Sequence, residues 1–224
     1  SQLIRLEPNE VDGYTLRSRA YDLMEEYALA KEDLDKAVQL DPENAELHAT
    51  LGDVHIDLGE LTQAVVDYTN AIQIDETAKY HTMRGYIYQQ LGWFDEAMTD
   101  LYAAIELDPA WVPAYVLRAQ QFYASGDFDA ALSDYESAIN AGPRDPMGHD
   151  AKARYHQIQG EYGQAVLVWT DVMALAKIGS IYSRTIFCSP ETSLLTKVTY
   201  ASFANSSVLS VVSKSNSAIF LTVN

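Results

Sequence analysis

The chain has 224 residues, 48% of them hydrophobic, enough to bury a sizeable core. Its 32 acidic against 15 basic residues give a formal net charge of −17, a field that repels nucleic-acid phosphates and anionic membranes and argues against nucleic-acid binding. Cys188 is the only cysteine, which excludes an intrachain disulfide framework and a cysteine-rich metal site, and no apolar run approaches the roughly 20 residues that span a bilayer.

In chain order, residues 1–10 match a stretch found further on: SQLIRLEP at the start aligns with KAVQLDP at 36–42. The chain is therefore expected to open inside the last helix of a preceding unit, with the natural protein extending further N-terminally. Residues 11–177 then carry a two-block pattern five times. The first block reads Tyr14-x2-Arg17-Ser18-x2-Tyr21, His48-x2-Leu51-Gly52-x2-His55, His81-x2-Arg84-Gly85-x2-Tyr88, Tyr115-x2-Arg118-Ala119-x2-Phe122 and His149-x2-Lys152-Ala153-x2-His156. The second is led by Ala30, Ala64, Ala97, Ala131 and Ala165, which are 34, 33, 34 and 34 residues apart. Each continues as alanine-x3-large-x2-small, for example Ala30-x3-Leu34-x2-Ala37 and Ala64-x3-Tyr68-x2-Ala71.

That spacing predicts two antiparallel amphipathic helices per unit. The small residue of the first block (Ser18, Gly52, Gly85, Ala119, Ala153) lets the second helix approach closely. Gly59, Gly92, Gly126 and Gly160 mark the turn between the helices, where a left-handed residue ends a helix without steric cost. Unit one has Glu25 there, so its turn is expected to be less ideal. Tyr27, Leu61, Phe94, Phe128 and Tyr162 follow the turn and are expected to anchor the second helix. Asn9, Asn44 and Asp145 are candidate N-caps of first helices, with Pro146 at a first helical position.

Composition changes abruptly after Lys177. Residues 178–224 hold 11 serines, 5 threonines and four charged residues. Ile181–Cys188, Thr196–Phe203, Val208–Ser213 and Ala218–Val223 are strand candidates, the last two forming a candidate hairpin. Three readings of this Ser/Thr-rich tail stay open: irregular strands packed over the last helix, a disordered segment, or a stretch that is not the natural continuation of the array.

A period of this length marks a repeat array whose units complete one another's cores by stacking. The two blocks resemble the tetratricopeptide repeat, a helix–turn–helix unit of about 34 residues with small and large packing positions in this order and a closing proline. Pro42, Pro109 and Pro143 supply that proline, while Glu76 and Lys177 replace it. The resemblance covers residues 11–177 and implies an all-α, right-handed superhelical solenoid whose first helices line a concave face.

Candidate chemistry is sparse. His48, His55, His81, His149 and His156 all occupy large packing slots that tyrosine or phenylalanine fills in other units, so they read as interfacial packing residues. Paired carboxylates such as Glu25–Glu26 and Asp33–Asp35 read as solvated faces of an acidic chain. No nucleophile motif, phosphate loop or metal-ligand spacing is present, so no catalytic residue, cofactor or metal is expected.

By resemblance, a partner would lie along inward-facing first-helix residues. Tyr86, Gln89, Gln90, Gln120 and Tyr123 form a central polar-aromatic patch there, and Arg19, Asp53, Lys79 and Arg154 extend it. Tyrosine supplies contact area and glutamine can pair with a peptide backbone. Replacing Tyr86 and Tyr123 by alanine is expected to weaken partner binding without unfolding the array. Of the positions where chaperone-binding members clamp a C-terminal carboxylate, only Lys79 fits, which disfavours that sub-function. The expected role is a non-catalytic scaffold or adaptor for a protein or peptide partner, with basic or polar partners favoured by the acidic field. The alternatives are the targeting or regulatory arm of a larger enzyme, and self-association through the array ends.

Overall fold

The computed structural model describes residues 10–178, 197–203, 206–212 and 218–222. Residues 10–178 form α1 (Val11–Asp22), α2 (Tyr27–Leu40), α3 (Ala45–Asp57), α4 (Leu61–Ile74), α5 (Ala78–Leu91), α6 (Phe94–Leu107), α7 (Val112–Ser125), α8 (Phe128–Ala141), α9 (Pro146–Ile158) and α10 (Tyr162–Ile178). Short turns join them as successive hairpins, and each hairpin packs on the next through α2–α3, α4–α5, α6–α7 and α8–α9. The first helices also touch along the array, α5 on α7 and α7 on α9. The helical unit is thus a solenoid of the class the period implies.

The chain divides into two compact units after Leu175. Within the second, β1 (Lys197–Phe203), β2 (Ser206–Val212) and β3 (Ala218–Thr222) form an antiparallel sheet in that order, with Tyr200 opposite Leu209 and Leu209 opposite Leu221. The candidate strand Ile181–Cys188, the candidate cap Asn9 and the N-terminal stretch 1–9 lie outside the described residues.

The hairpin turns follow from one backbone rule. Gly59, Gly92, Gly126 and Gly160 have φ between 76° and 85°, and Glu25 is forced to φ 60° in unit one. The next residue then turns its N–H back on the helix it has left. Glu26, Glu60, Trp93, Asp127 and Glu161 donate to the carbonyls of Tyr21, His55, Tyr88, Phe122 and His156 at 2.8–2.9 Å. These bonds satisfy carbonyls that a helix end otherwise leaves open.

At the seam, Ala30, Ala64, Ala97 and Ala131 are fully buried against the first helices. A Cβ on Gly52 would stand 2.9 Å from the Tyr68 ring, and one on Gly85 would stand 3.3 Å from the Ala97 carbonyl oxygen. Gly148, which precedes the repeated block, is equally tight: its Cβ would meet the Ala138–Ile139 backbone at 3.1 Å. Asn44 and Asp145 cap α3 and α9 as expected, and Pro146 opens α9. Thr77 and Asp127 cap α5 and α8, two sites the sequence reading passed over. The anchor expectation needs correction. Tyr27 and Leu61 are half-buried, but Phe94, Phe128 and Tyr162 keep about half their surface in solvent.

Buried ion pairs join the two helices within hairpins. Arg17, Arg84 and Arg118 each chelate an aspartate sixteen residues on: Asp33, Asp100 and Asp134. All three aspartates are buried. Reading Asp33 as part of a solvated face is therefore wrong. Its place between the two helices of a hairpin makes it a structural ion, paired because an unpaired buried charge is prohibitive. Unit two has Leu51 in place of the arginine, and its Asp67 receives His55 Nδ1 at 2.5 Å instead. Unit five keeps the cation but has Val168 at the aspartate position, and Lys152 turns back to Glu136 of α8 at 2.9 Å.

The histidines are buried packing residues, as expected, and each also makes a specific bond. His48 and His149 meet the carbonyls of Pro42 and Pro143, six residues back, where Tyr115 likewise meets Pro109. Where glutamate replaces the proline, His81 Nε2 meets Glu76 at 3.2 Å, while its Nδ1 meets Asp100 at 2.8 Å. The Asp100 hydrogen bond raises the His81 pKa; burial opposes it and Glu76 assists. Burial works against the charge of Asp100, but Arg84 and His81 outweigh it and hold its pKa below the ordinary value.

The sign of the pH dependence follows. A raised histidine stabilises fully below its unfolded value of about 6.5, and the contribution fades as pH rises through the folded value. Urea denaturation is expected to show stability falling across that window, and His81→Gln is expected to remove the fall. An unchanged slope in the variant contradicts the assignment.

Candidate partner-binding surface

The contacts of α5 with α7 and of α7 with α9 make a continuous wall of first helices. Two cross-links fix its middle. Gln89 Nε2 donates to the Leu117 carbonyl at 3.1 Å, and Trp111 Nε1 donates to Thr82 Oγ1 at 3.0 Å. Both join α5 to the segment carrying α7, so the central positions are held by the fold before any partner arrives.

The sequence-selected residues divide into two kinds on this wall. Gln90 and Gln120 are exposed, with Gln120 one turn beyond the Gln89-bonded Leu117. Tyr86 is half-buried against the core between α4 and α5. Tyr123 packs its ring on Phe128 (5.3 Å) and edge-on to Tyr155 (5.9 Å). The ring is part of the contact between α7, α8 and α9, so Tyr123→Ala removes packing as well as any partner contact. The exposed glutamines are the cleaner probes.

Lys79, Asp53 and Arg154 are already engaged. Lys79 lies 3.4 Å from Glu46 and over the Tyr80 ring, whose hydroxyl also donates to Glu46 at 2.9 Å. Asp53 is exposed on its outer side, yet its Oδ1 accepts from the buried Tyr68 hydroxyl. Desolvation raises the Asp53 pKa, with the Tyr68 hydrogen bond opposing. Burial first, and then the charge of Asp53, drive the Tyr68 pKa far upward, so the tyrosine stays a neutral donor. Arg154 pairs with Asp150 at 2.8 Å along α9, and Arg19 is exposed on α1.

The structure links Gln89 to the Tyr123-bearing helix directly. Arg19 and Arg154 sit on α1 and α9, at opposite ends of the row of first helices. The hydroxyl bonds to Glu46 and Asp53 leave no signal in the local sequence pattern, because both tyrosines come from other helices. Among the described residues, no group of three or more His, Cys, Asp or Glu could hold a metal ion, and no helix is long and apolar enough to cross a membrane.

Three stretches match models of the tetratricopeptide repeat: residues 23–78, 78–110 and 116–169. Among solved structures, MamA from Desulfovibrio magneticus RS-1 superposes with a TM-score of 0.59 at 16% identity, over 76% of this chain and 97% of that one. YrrB, described as a TPR protein with an unusual peptide-binding site, gives 0.54 at 18% identity, over 79% and 91%. The Cut9–Hcn1 hetero-tetramer of APC/C gives 0.64 at 16% identity, over 79% of this chain and 35% of that one. At such identities the likeness is one of fold. No curated protein matches the chain.

Proposed function

Because the chain belongs to the tetratricopeptide-repeat family, we propose that it is a non-catalytic interaction scaffold whose first-helix wall docks an extended peptide or a helix of a partner protein. The observation that carries this reading is the wall's centre. Exposed amides at Gln90 and Gln120 stand on helices cross-linked by the Gln89–Leu117 bond, beside the half-buried rings of Tyr86 and Tyr123. Such a surface offers donors and acceptors to a peptide backbone at little ordering cost. The peptide-binding site named for YrrB, a structure of the same fold, supports the class of partner.

A peptide selected from a random library on the intact chain tests the proposal. Joint replacement Gln90→Ala and Gln120→Ala is expected to weaken its binding by about tenfold, a loss of roughly 1.4 kcal/mol, with an unchanged melting curve. Undiminished affinity moves the site off this wall.

A further inference from the structure

Exposed apolar side chains occur on several faces of the array, and one set of aromatic rings lies along the edge formed by the hairpin turns. Phe94 (51% exposed), Phe128 (44%) and Tyr162 (55%) recur there at the repeat interval, and Trp93 (45%) adjoins the first of them. Their neighbours are acidic: Asp95 and Glu96 follow Phe94, Asp127 and Asp129 flank Phe128, and Glu161 precedes Tyr162. Residues 91–97, 125–130 and 158–164 contain no lysine or arginine. The first-helix wall, by contrast, carries Arg19, Lys79 and Arg154. Trp93 stacks one face on Tyr88, Phe128 packs on Tyr123, and Glu161 meets His156. The ring surface left in solvent, beside carboxylates and with no lysine or arginine in the same segments, matches one chemistry: the apolar stem and charged head of lysine or arginine.

The spacing selects the form of the partner. Neighbouring first helices touch, α5 on α7 and α7 on α9. Helices in contact lie about 8–10 Å apart, so the array advances by about that much per repeat. A polyproline-II segment rises about 3.1 Å per residue with about three residues per turn, so every third side chain faces the same side and meets the next repeat. We propose that the turn edge of the third, fourth and fifth hairpins is a second docking surface, occupied by an extended basic polypeptide with lysine or arginine at about every third position. Each cation stacks on one ring and pairs with the acids beside it. Phe128 touches Tyr123 of the first-helix wall, but Gln90 and Gln120 of that wall take no part in this surface.

The probe is a synthetic twelve-residue peptide with lysine at every third position among glycine and serine. Two controls accompany it: the same composition with the lysines contiguous, and the same spacing with glutamate. Titration of the full chain, followed by NMR, is expected to shift the Trp93 indole and the amides around Phe128 and Tyr162. Binding should weaken as salt rises. The contiguous peptide is expected to bind at least about fivefold more weakly, and the glutamate peptide not at all.

Joint substitution Asp95→Asn and Asp129→Asn removes two exposed first-turn charges and is expected to reduce binding at least about tenfold, with the array still folded by circular dichroism. Gln90→Ala with Gln120→Ala is expected to leave it untouched. Equal binding of spaced and contiguous lysines, shifts confined to the first-helix wall, or no binding at millimolar peptide would each overturn the proposal.

Discussion

Replacing Asp100 by alanine is expected to destabilise the array by about 3–5 kcal/mol. The carboxylate is 4% exposed and receives two hydrogen bonds from Arg84, at 2.8 Å each, and one from His81 at the same distance. Its removal leaves a guanidinium and an imidazole facing one another across a dry gap. Arg84 also holds Thr69 of α4 at 3.0 Å, so the damage reaches the preceding hairpin. Removing both partners is a different experiment. Unit two, with Leu51, and unit five, with Val168, show that a hairpin of this array closes without the arginine–aspartate pair. Arg84→Leu combined with Asp100→Val is therefore expected to recover part of the loss, since an apolar pair of similar volume often equals a buried ion pair while His81 still loses its Asp100 partner. Urea denaturation followed by circular dichroism measures both. A double variant as weak as Asp100→Ala contradicts the argument that the stranded charge is what costs stability.

Replacing Tyr68 by alanine is expected to cost about 3–5 kcal/mol. This side chain is 1% exposed, fills the space that Gly52 leaves open, and packs at 6.3 Å on Tyr80 of the next hairpin. Its hydroxyl donates to Asp53 of α3. Tyr68→Phe keeps the ring and is expected to cost only about 1–3 kcal/mol, the penalty of leaving a desolvated acceptor without its donor. Amide hydrogen exchange localises the effect: faster exchange is expected in α3, α4 and α5, with α8 and α9 unchanged, because each repeat contacts only its neighbours. Uniform acceleration along the whole array would show a single cooperative unit.

The period, the turn glycines and the small seam residues were legible in the sequence because each answers to a local steric rule that repeats in register. The strained turn at Glu25 was legible for the same reason. The ion pairs were not read, although their pattern is present: arginine in the first block and aspartate three residues after the leading alanine. A carboxylate in so acidic a chain looks solvated until its helix face is fixed, and Asp33, Asp100 and Asp134 face the seam. Phe94, Phe128 and Tyr162 failed in the opposite direction. Apolar character suggested anchoring, but a first-turn position at the edge of the hairpin leaves about half the ring in water.

The candidate surface was legible only in outline. Repeat position placed Gln90 and Gln120 on exposed first-helix faces. It could not show that Gln89 is committed to Leu117 or that Tyr123 is wedged against Phe128 and Tyr155, because those partners come from other helices. Tertiary contact thus decides which of two chemically similar side chains is free to meet a partner.

The central functional claim is that the middle of the first-helix wall receives a polypeptide. Its most direct test is an NMR titration of the intact chain with a peptide selected on it from a random library. The largest shifts are predicted for Tyr86–Gln90 and Gln120–Tyr123, with little change on α6 and α8. Shifts centred on α6 and α8, with the amides of α5 and α7 unmoved, would contradict it.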